Sequence, residues 1–381
     1  MEDVAIVGVG QSNFSRGCGA TISELCFEAF KEAMEGLETT ASDIDASIIC
    51  SSVYDKQRSP EAEVSEYLNL TPNPTFNIEN ACCASSAGLK VAWSFIKSGL
   101  HKVVAVIGLE KMSGLTSREV AEMMGRAYDI TWESPFGYTM PAGYAMYARA
   151  YMAKYGITEE QLAKVRVKNS YYGAMNPKAT YRKALSLDDI LGSEVVASPL
   201  KKFDCCANAD GSSCLIVARG DIAKKIAPIP IWVTGLGAAS DTGMSGRQSL
   251  TSLKCAKEAA KQAYEMAGIG PEDVDVAEVH DCFTIAEILA YEDLGFAKPG
   301  EGARLVDEGQ TYVGGRIPVN TDGGLLSKGH PVGATGGSQI RTIVKQLREE
   351  FGEAQVKGAK IGLVHNVGGV GHYCSVTILR R

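Results

Sequence analysis

Hydrophobic positions along the chain follow two alternating periods. Val4-Ala5-Ile6-Val7-Gly8-Val9-Gly10 is an unbroken apolar run closed by a glycine turn, the form of a strand covered on both faces. Ile22 to Gly36 repeats at helical spacing, and Thr21 with Glu24 forms a capping box at its start. Ile44 to Cys50 predicts a second strand, Pro74 to Ile78 a short extended run, and Lys102 to Leu109 a further strand. Between the last two, Leu89, Ala92, Phe95 and Ile96 share one helical face that stops at Gly99. Strands alternating with helices predict a layered α/β fold.

From about Met112 to Lys202 the pattern changes. This stretch is rich in Met, Tyr and Ala and reads as helices over Met140–Tyr155, Thr158–Tyr172 and Leu187–Ile190, broken at Asn176-Pro177 and Ser198-Pro199. It reads as a mostly helical insertion, residues 113–202. The strand Cys214 to Ala218 then returns to the first sheet. The second half repeats the first. Gly8 and Gly10 recur as Gly235 and Gly237, both at an offset of 227, and Asp43-Ile44-Asp45 recurs as Asp273-Val274-Asp275 at an offset of 230. Leu253–Met266, Lys360–His365 and Cys374–Leu379 match the first helix, the Lys102 strand and the closing strand. The expectation is a duplicated α/β unit with halves 1–222 and 223–381 about a pseudo-twofold axis.

Composition narrows the function classes. The 381 residues are 45% hydrophobic and 22% charged, as in an ordinary globular protein. A net charge of −7 argues against general nucleic-acid binding. No apolar run approaches the roughly 20 residues of a membrane span. The acidic start Met1-Glu2-Asp3-Val4 runs straight into a strand, unlike a secretory leader, and Leu379-Arg380-Arg381 is no peroxisomal tripeptide. The eleven cysteines are scattered, with no zinc-site spacing, so no bound metal and reduced thiols in a cytoplasm are expected.

The chemistry gathers around Asn80-Ala81-Cys82-Cys83-Ala84-Ser85-Ser86-Ala87-Gly88. A thiol here sits where an extended run turns into a helix, and helix N-terminal amides favour thiolate over thiol. Two inert packed cysteines are the alternative. Four of the five histidines lie in the second half. His280 follows a strand, in His280-Asp281-Cys282-Phe283. His330 sits in Asn320-Thr321-Asp322-Gly323-Gly324 … Gly329-His330-Pro331. His365 ends a strand, in His365-Asn366-Val367-Gly368-Gly369-Val370-Gly371-His372. Three histidines at strand ends, where α/β sheets place ligands, opposite a helix-start cysteine and beside glycines that free backbone amides, suit nucleophilic acyl transfer. The glycines lack a phosphate-loop lysine and spacing.

These motifs resemble the thiolase superfamily, most closely its sterol-carrier-protein-type and archaeal-type branch, over essentially the whole chain. The resemblance implies two βαβαβαββ halves in five layers, αβαβα. It makes Cys82 the nucleophile, since Gly99 stands at the usual seventeen residues beyond it, and Cys83 a packed thiol. It implies His330 as the base that activates Cys82, His280 with His330 as donors to an enolate oxygen, and the amides of Cys82 and Gly368 as the acyl oxyanion hole. Asn320 and Asn366 support the site. Asn366 stands where conventional thiolases carry a second cysteine, so Cys282 of the HDCF-like motif becomes the acid, with Cys374 a weaker substitute. Ser85, in place of the usual glycine, implies a tighter pocket.

The implied activity is cleavage of a 3-oxoacyl-CoA by coenzyme A as co-substrate, or the reverse Claisen condensation. No tightly bound cofactor is implied. Acetoacetyl-CoA is the default substrate; a bulky or aromatic ester follows if the stripe Phe136, Tyr138, Met140, Tyr144, Met146, Tyr147, Tyr151, Met152 lines the pocket rather than packing helices. A β-ketoacyl synthase and a non-catalytic acyl-CoA-binding or scaffold subunit are the alternatives. Implied partners are a second copy, as homodimer or dimer of dimers, and a small zinc/OB-fold protein in a multi-subunit complex.

Overall fold

The computed structural model describes residues 3–52 and 59–381; Met1 and Glu2, which open the acidic N-terminus, lie outside them. In chain order the first half runs β1 (Val4–Gln11), α1 (Ile22–Met34), β2 (Ala46–Cys50), α2 (Pro60–Tyr67), β3 (Thr75–Ile78), α3 (Ala84–Lys97) and β4 (Val103–Glu110). An excursion follows with α4 (Ser117–Gly125), α5 (Met140–Tyr155), α6 (Glu159–Met175), α7 (Leu187–Leu191) and the short hairpin β5 (Val195–Ala197) and β6 (Leu200–Lys201). The chain re-enters the sheet as β7 (Gly211–Arg219), continuing through α8 (Gly220–Ile226). The second half holds β8 (Ile231–Ser240), α9 (Lys254–Ala267), β9 (Val276–Glu278), α10 (Thr284–Asp293), α11 (Gly302–Asp307), α12 (Gly324–Lys328), α13 (Thr335–Arg348), β10 (Ile361–Gly368) and β11 (Tyr373–Arg380).

Strand order makes the duplication visible. The strands run β3-β2-β4-β7-β1-β8-β11-β10-β9. In the first half β3, β2 and β4 are parallel, and β7 is antiparallel to β4 and β1. In the second, β9 and β10 are parallel, and β11 is antiparallel to β10 and β8. A bridge from Ala277 to Val319 stands where β3 would. The half-sheets meet through an antiparallel contact of only Ala5 with Trp232 and Ile6 with Ile231.

Each half packs its opening strand against its first helix by removing side chains. A Cβ on Gly10 would lie 1.9 Å from the Ala29 carbonyl, and one on Gly237 would lie 1.7 Å from that of Ala259. The paired glycines of the sequence are thus paired close approaches of helix to strand. Leu89, Ala92 and Ile96 of α3 share one core with Ile340, Ile343 and Val344 of α13 and with strands of both half-sheets. Those two helices form a central layer, with α1 and α9 on the outer faces.

The Thr21–Glu24 capping box is formed, and α5 has the bounds its pattern predicts. α4 was not legible as a helix; it is short and mostly solvent-facing. Among the described residues no helix is long and apolar enough to cross a membrane. Gly10→Ala and Gly237→Ala should each destabilise the fold by roughly 1–3 kcal/mol, the usual range for overpacking. Gly19 is exposed, and a Cβ added there would meet nothing within 4 Å. It should accept Ala within about 0.5 kcal/mol. Thermal unfolding of the three variants checks this.

Candidate active site

Cys82 lies between β3 and α3, two residues before the helix begins at Ala84. The turn is held from below: Glu79 accepts from the Ala81 amide at 2.8 Å and from the Ser52 hydroxyl at 3.0 Å. That fixes Ala81 at φ +49, a left-handed conformation uncommon for alanine, and turns Cys82 inward, 4% exposed. Cys83 faces the other way. It is wholly buried and donates its thiol to the Asn366 carbonyl at 3.1 Å.

Two histidines converge on Cys82. Its Sγ and one nitrogen of each of His280 and His330 all lie within 4.8 Å of one another, and the two rings meet edge to face at 5.2 Å. Their tautomers are assigned from their hydrogen-bond partners. The Thr335 hydroxyl donates its proton to the Pro331 carbonyl at 2.9 Å, so at 2.7 Å from His330 Nδ1 it accepts. His330 therefore carries its proton on Nδ1 and keeps a lone pair on Nε2. His280 has the opposite tautomer. Ser86 donates to Asn366 Oδ1 at 2.9 Å, which aims the Asn366 amide nitrogen at His280 Nδ1, 3.0 Å away. The His280 proton is then on Nε2, a buried donor with no partner among the described residues. An unpartnered donor of this kind is a site for a developing negative charge.

The loops that carry these histidines hang on a buried polar network. Asp281 accepts from the amides of Leu325 (2.7 Å) and Leu326 (3.2 Å) and from Asn169 Nδ2 (2.7 Å), joining the His280 turn to α12 and α6. Asn320, at φ +55, accepts from the Val279 amide at 2.8 Å and donates to Glu287 at 2.7 Å. Glu287 also pairs with the fully buried Lys168. Asn320 thus holds the strand that delivers His280 and does not reach the cavity.

Burial dominates the ionisation of the site. It lowers the His330 pKa to about 3 and pushes the Cys82 thiol up to about 12, the amides of Gly369 and of Cys82 itself pulling the other way. The thiolate expected from a helix start is therefore not the resting state. Desolvation of a sulfur set before the first helical residue outweighs the helix terminus. Next to Gly368, the residue expected to supply an oxyanion amide, the structure places another amide at Cys82. Gly368 ends β10 against the Asn80 carbonyl, and the left-handed turn at Gly369 (φ +63) brings the next amide onto Cys82 Sγ.

Other expectations change too. His365 lies inside β10, not at its end; its Nδ1 sits 3.5 Å from the His280 amide, so it backs the site without lining it. Ser85 accepts from the Gly337 amide at 2.9 Å and faces α13, so it does not tighten the pocket. Cys374 is buried among Cys255 and Cys83, in the last strand.

Two cavities meet at Cys82, Met124, Met140 and Gly369. The outer one, about 370 Å³, has a polar rim of Ser52, Glu79, Arg126 and Tyr373. The inner one, about 310 Å³, is mostly apolar; Cys82, His330 and Cys282 face it along with Met140, Tyr144 and Phe283. Of the Met- and Tyr-rich stripe, Met140 and Tyr144 line this cavity, Tyr147 and Tyr151 are core, and Phe136 is exposed. Cys206 also lines it. Its sequence context, a second pair of adjacent cysteines next to the insertion, does not mark it as a site residue.

The family models for the thiolase N-terminal domain and the thiolase C-terminal domain-like region match residues 4–221 and 237–381. The chain belongs to the thiolase family, enzymes of acyl transfer. It is 37% identical to an acetyl-CoA acetyltransferase of Methanothermobacter thermautotrophicus over the full length of both. It is 34% identical to the benzoylsuccinyl-CoA thiolase subunit BbsB of Thauera aromatica, covering 96% of this chain and 94% of that one. The solved Ltp2-ChsH2(DUF35) aldolase superposes with a TM-score of 0.86 at 26% identity, covering 99% and 97%.

A thiol held near 12 should react slowly when the site is empty. Alkylation of Cys82 by iodoacetamide should rise about tenfold per pH unit between pH 7 and 10, following the thiolate fraction. Peptide mapping at each pH checks it; a rate flat across that range would mean a resting thiolate.

Proposed function

We propose that the protein is a thiolase acting through a Cys82 acyl-enzyme on a 3-oxoacyl-CoA whose acyl group is bulky. The observation that carries this is the convergence of His280 and His330 on Cys82: with the assigned tautomers, one ring is ready to accept the thiol proton and the other to donate to an oxygen. Cys82 attacks the 3-oxo carbonyl while His330 Nε2 takes its proton. The tetrahedral oxyanion is held by the amides of Cys82 and Gly369. Carbon–carbon cleavage leaves an enolate whose oxygen His280 Nε2–H stabilises, and Cys282 protonates its carbon. Coenzyme A then gives its proton to the Cys282 thiolate and attacks the acyl-enzyme; Cys82 departs and recovers its proton from His330. Losing a single oxyanion donor typically costs ~3 kcal/mol, about a hundredfold in rate.

The inner cavity supports the bulky acyl group. Its volume of about 310 Å³ lies in the range of small-molecule pockets, about 300–1,000 Å³, and leaves room for more than an acetyl group. Its apolar lining and the stacked Tyr144 and Phe283 rings, 4.6 Å apart, suit a branched or aryl chain. The polar outer cavity is the proposed path for the pantetheine arm. A partner subunit belongs to the proposal: one relative is named as a subunit, and the aldolase neighbour carries a DUF35 partner. A homodimer core is part of it too, with β3 at the sheet edge.

Thiolysis of a panel from acetoacetyl-CoA to aryl-substituted 3-oxoacyl-CoA esters, with and without the co-purifying partner, tests this. Turnover should vanish in Cys82→Ala and be best on a bulky ester. Best turnover on acetoacetyl-CoA would refute the bulky acyl group. Activity on acyl-carrier-protein thioesters with decarboxylation would favour a synthase. No turnover even with the partner would leave the non-catalytic reading.

A further inference from the structure

The proposed thiolase mechanism leaves a thiolate on Cys282, with the His330 imidazolium as the opposite charge in the same cavity. When Cys282 gives its proton to the enolate carbon, its S–H bond breaks, a C–H bond forms, and a thiolate remains in a buried apolar cavity. Around Cys282 stand Cys206, Cys82 and Asp281, each of which disfavours that charge, together with Tyr128 and Tyr144, and His330 lines the same cavity. Tyr144 differs from the others. It is 1% exposed and its ring stacks on Phe283, the residue after Cys282, at 22° between planes. Its hydroxyl donates to the Gly369 carbonyl at 3.3 Å, and it lines the inner cavity beside the Cys282 thiol, whose ionisation it favours. The neighbouring carbonyl, that of Val370, is held by Tyr147 at 2.9 Å, so the loop keeps an anchor if Tyr144 lets go.

We propose that Tyr144 is a positioning residue that switches its single hydroxyl proton between the Gly369 carbonyl and the Cys282 sulfur. While Cys282 is a thiol, the Tyr144 proton rests on Gly369 and steadies the loop whose amide reaches Cys82. Once Cys282 is a thiolate, the hydroxyl turns to the sulfur and makes a charge-assisted hydrogen bond, stronger than a neutral one. When coenzyme A returns a proton to Cys282, the hydroxyl turns back. No proton is gained or lost in the cycle. The proposal rests on the thiolase reading with Cys282 as the acid.

Tyr144→Phe keeps the ring and its stacking and removes only the hydroxyl. The test is thiolysis by wild type, Tyr144→Phe, Cys282→Ala and the double variant, with kcat and KM measured for each and thermal unfolding alongside. In Tyr144→Phe kcat should fall about tenfold or more while KM for the ester stays within about twofold. In the Cys282→Ala background the same change should cost nothing further, because coupled residues are non-additive. A wild-type kcat in Tyr144→Phe, a change in KM alone, or a full additional loss in the Cys282→Ala background would overturn the switch while leaving the thiolase reading intact. A wild type that cleaves no ester would overturn both.

Discussion

The site depends on a proton held between two groups that burial keeps neutral. In water a thiol and an imidazole differ by only about two pKa units. Here desolvation drives them apart, the thiol to about 12 and the His330 ring to about 3. Moving the proton from Cys82 to His330 makes two adjacent opposite charges, whose attraction is strong in a dry site. Under the proposed mechanism reaction then waits for substrate: the attacked oxygen takes up the charge and meets the amides of Cys82 and Gly369. A resting thiol is protected from oxidation and alkylation by the same burial.

Such a site requires that every polar group around it be fixed in advance. Thr335 fixes one tautomer and Asn366, aimed by Ser86, fixes the other. Behind them Asp281, Asn320, Glu287 and Lys168 form a buried network that ties the histidine loops to the inserted helix α6. The insertion is therefore part of the site's frame as well as its cover. Removing one partner of a buried pair such as Lys168–Glu287 leaves an uncompensated charge, a loss of about 3–5 kcal/mol. In this network folding stability and histidine placement are one property.

Much of this was legible in the chain. Unbroken apolar runs and period-3.6 patterns located the principal strands and helices, and the recurrence of Gly8 and Gly10 as Gly235 and Gly237 exposed the duplication because each pair solves one packing problem. Cys82, His280, His330 and Cys282 stand in motifs whose residue types suggest their chemistry; the structure sets Cys82, His330 and Cys282 along one cavity and His280 beside Cys82 and His330. What stayed hidden depends on three-dimensional surroundings. The helix-terminus argument for a thiolate is local, whereas burial of Cys82 is global. Gly368 and Gly369 are indistinguishable until the backbone shows which amide turns inward. Thr335 is an ordinary residue until its hydroxyl is seen between Pro331 and His330. Tyr144 stands out in the sequence only as one of a stripe of large residues, and nothing in its spacing separates a cavity wall from helix packing.

The covalent intermediate is the most direct test. Enzyme mixed with a 3-oxoacyl-CoA in the absence of free coenzyme A, quenched in acid and digested, should carry the acyl mass on Cys82, located by peptide fragmentation between Cys82 and its neighbour Cys83. An acyl group on Cys83, Cys206 or Cys282, or an enzyme that turns over without ever carrying one, would contradict nucleophilic catalysis by Cys82.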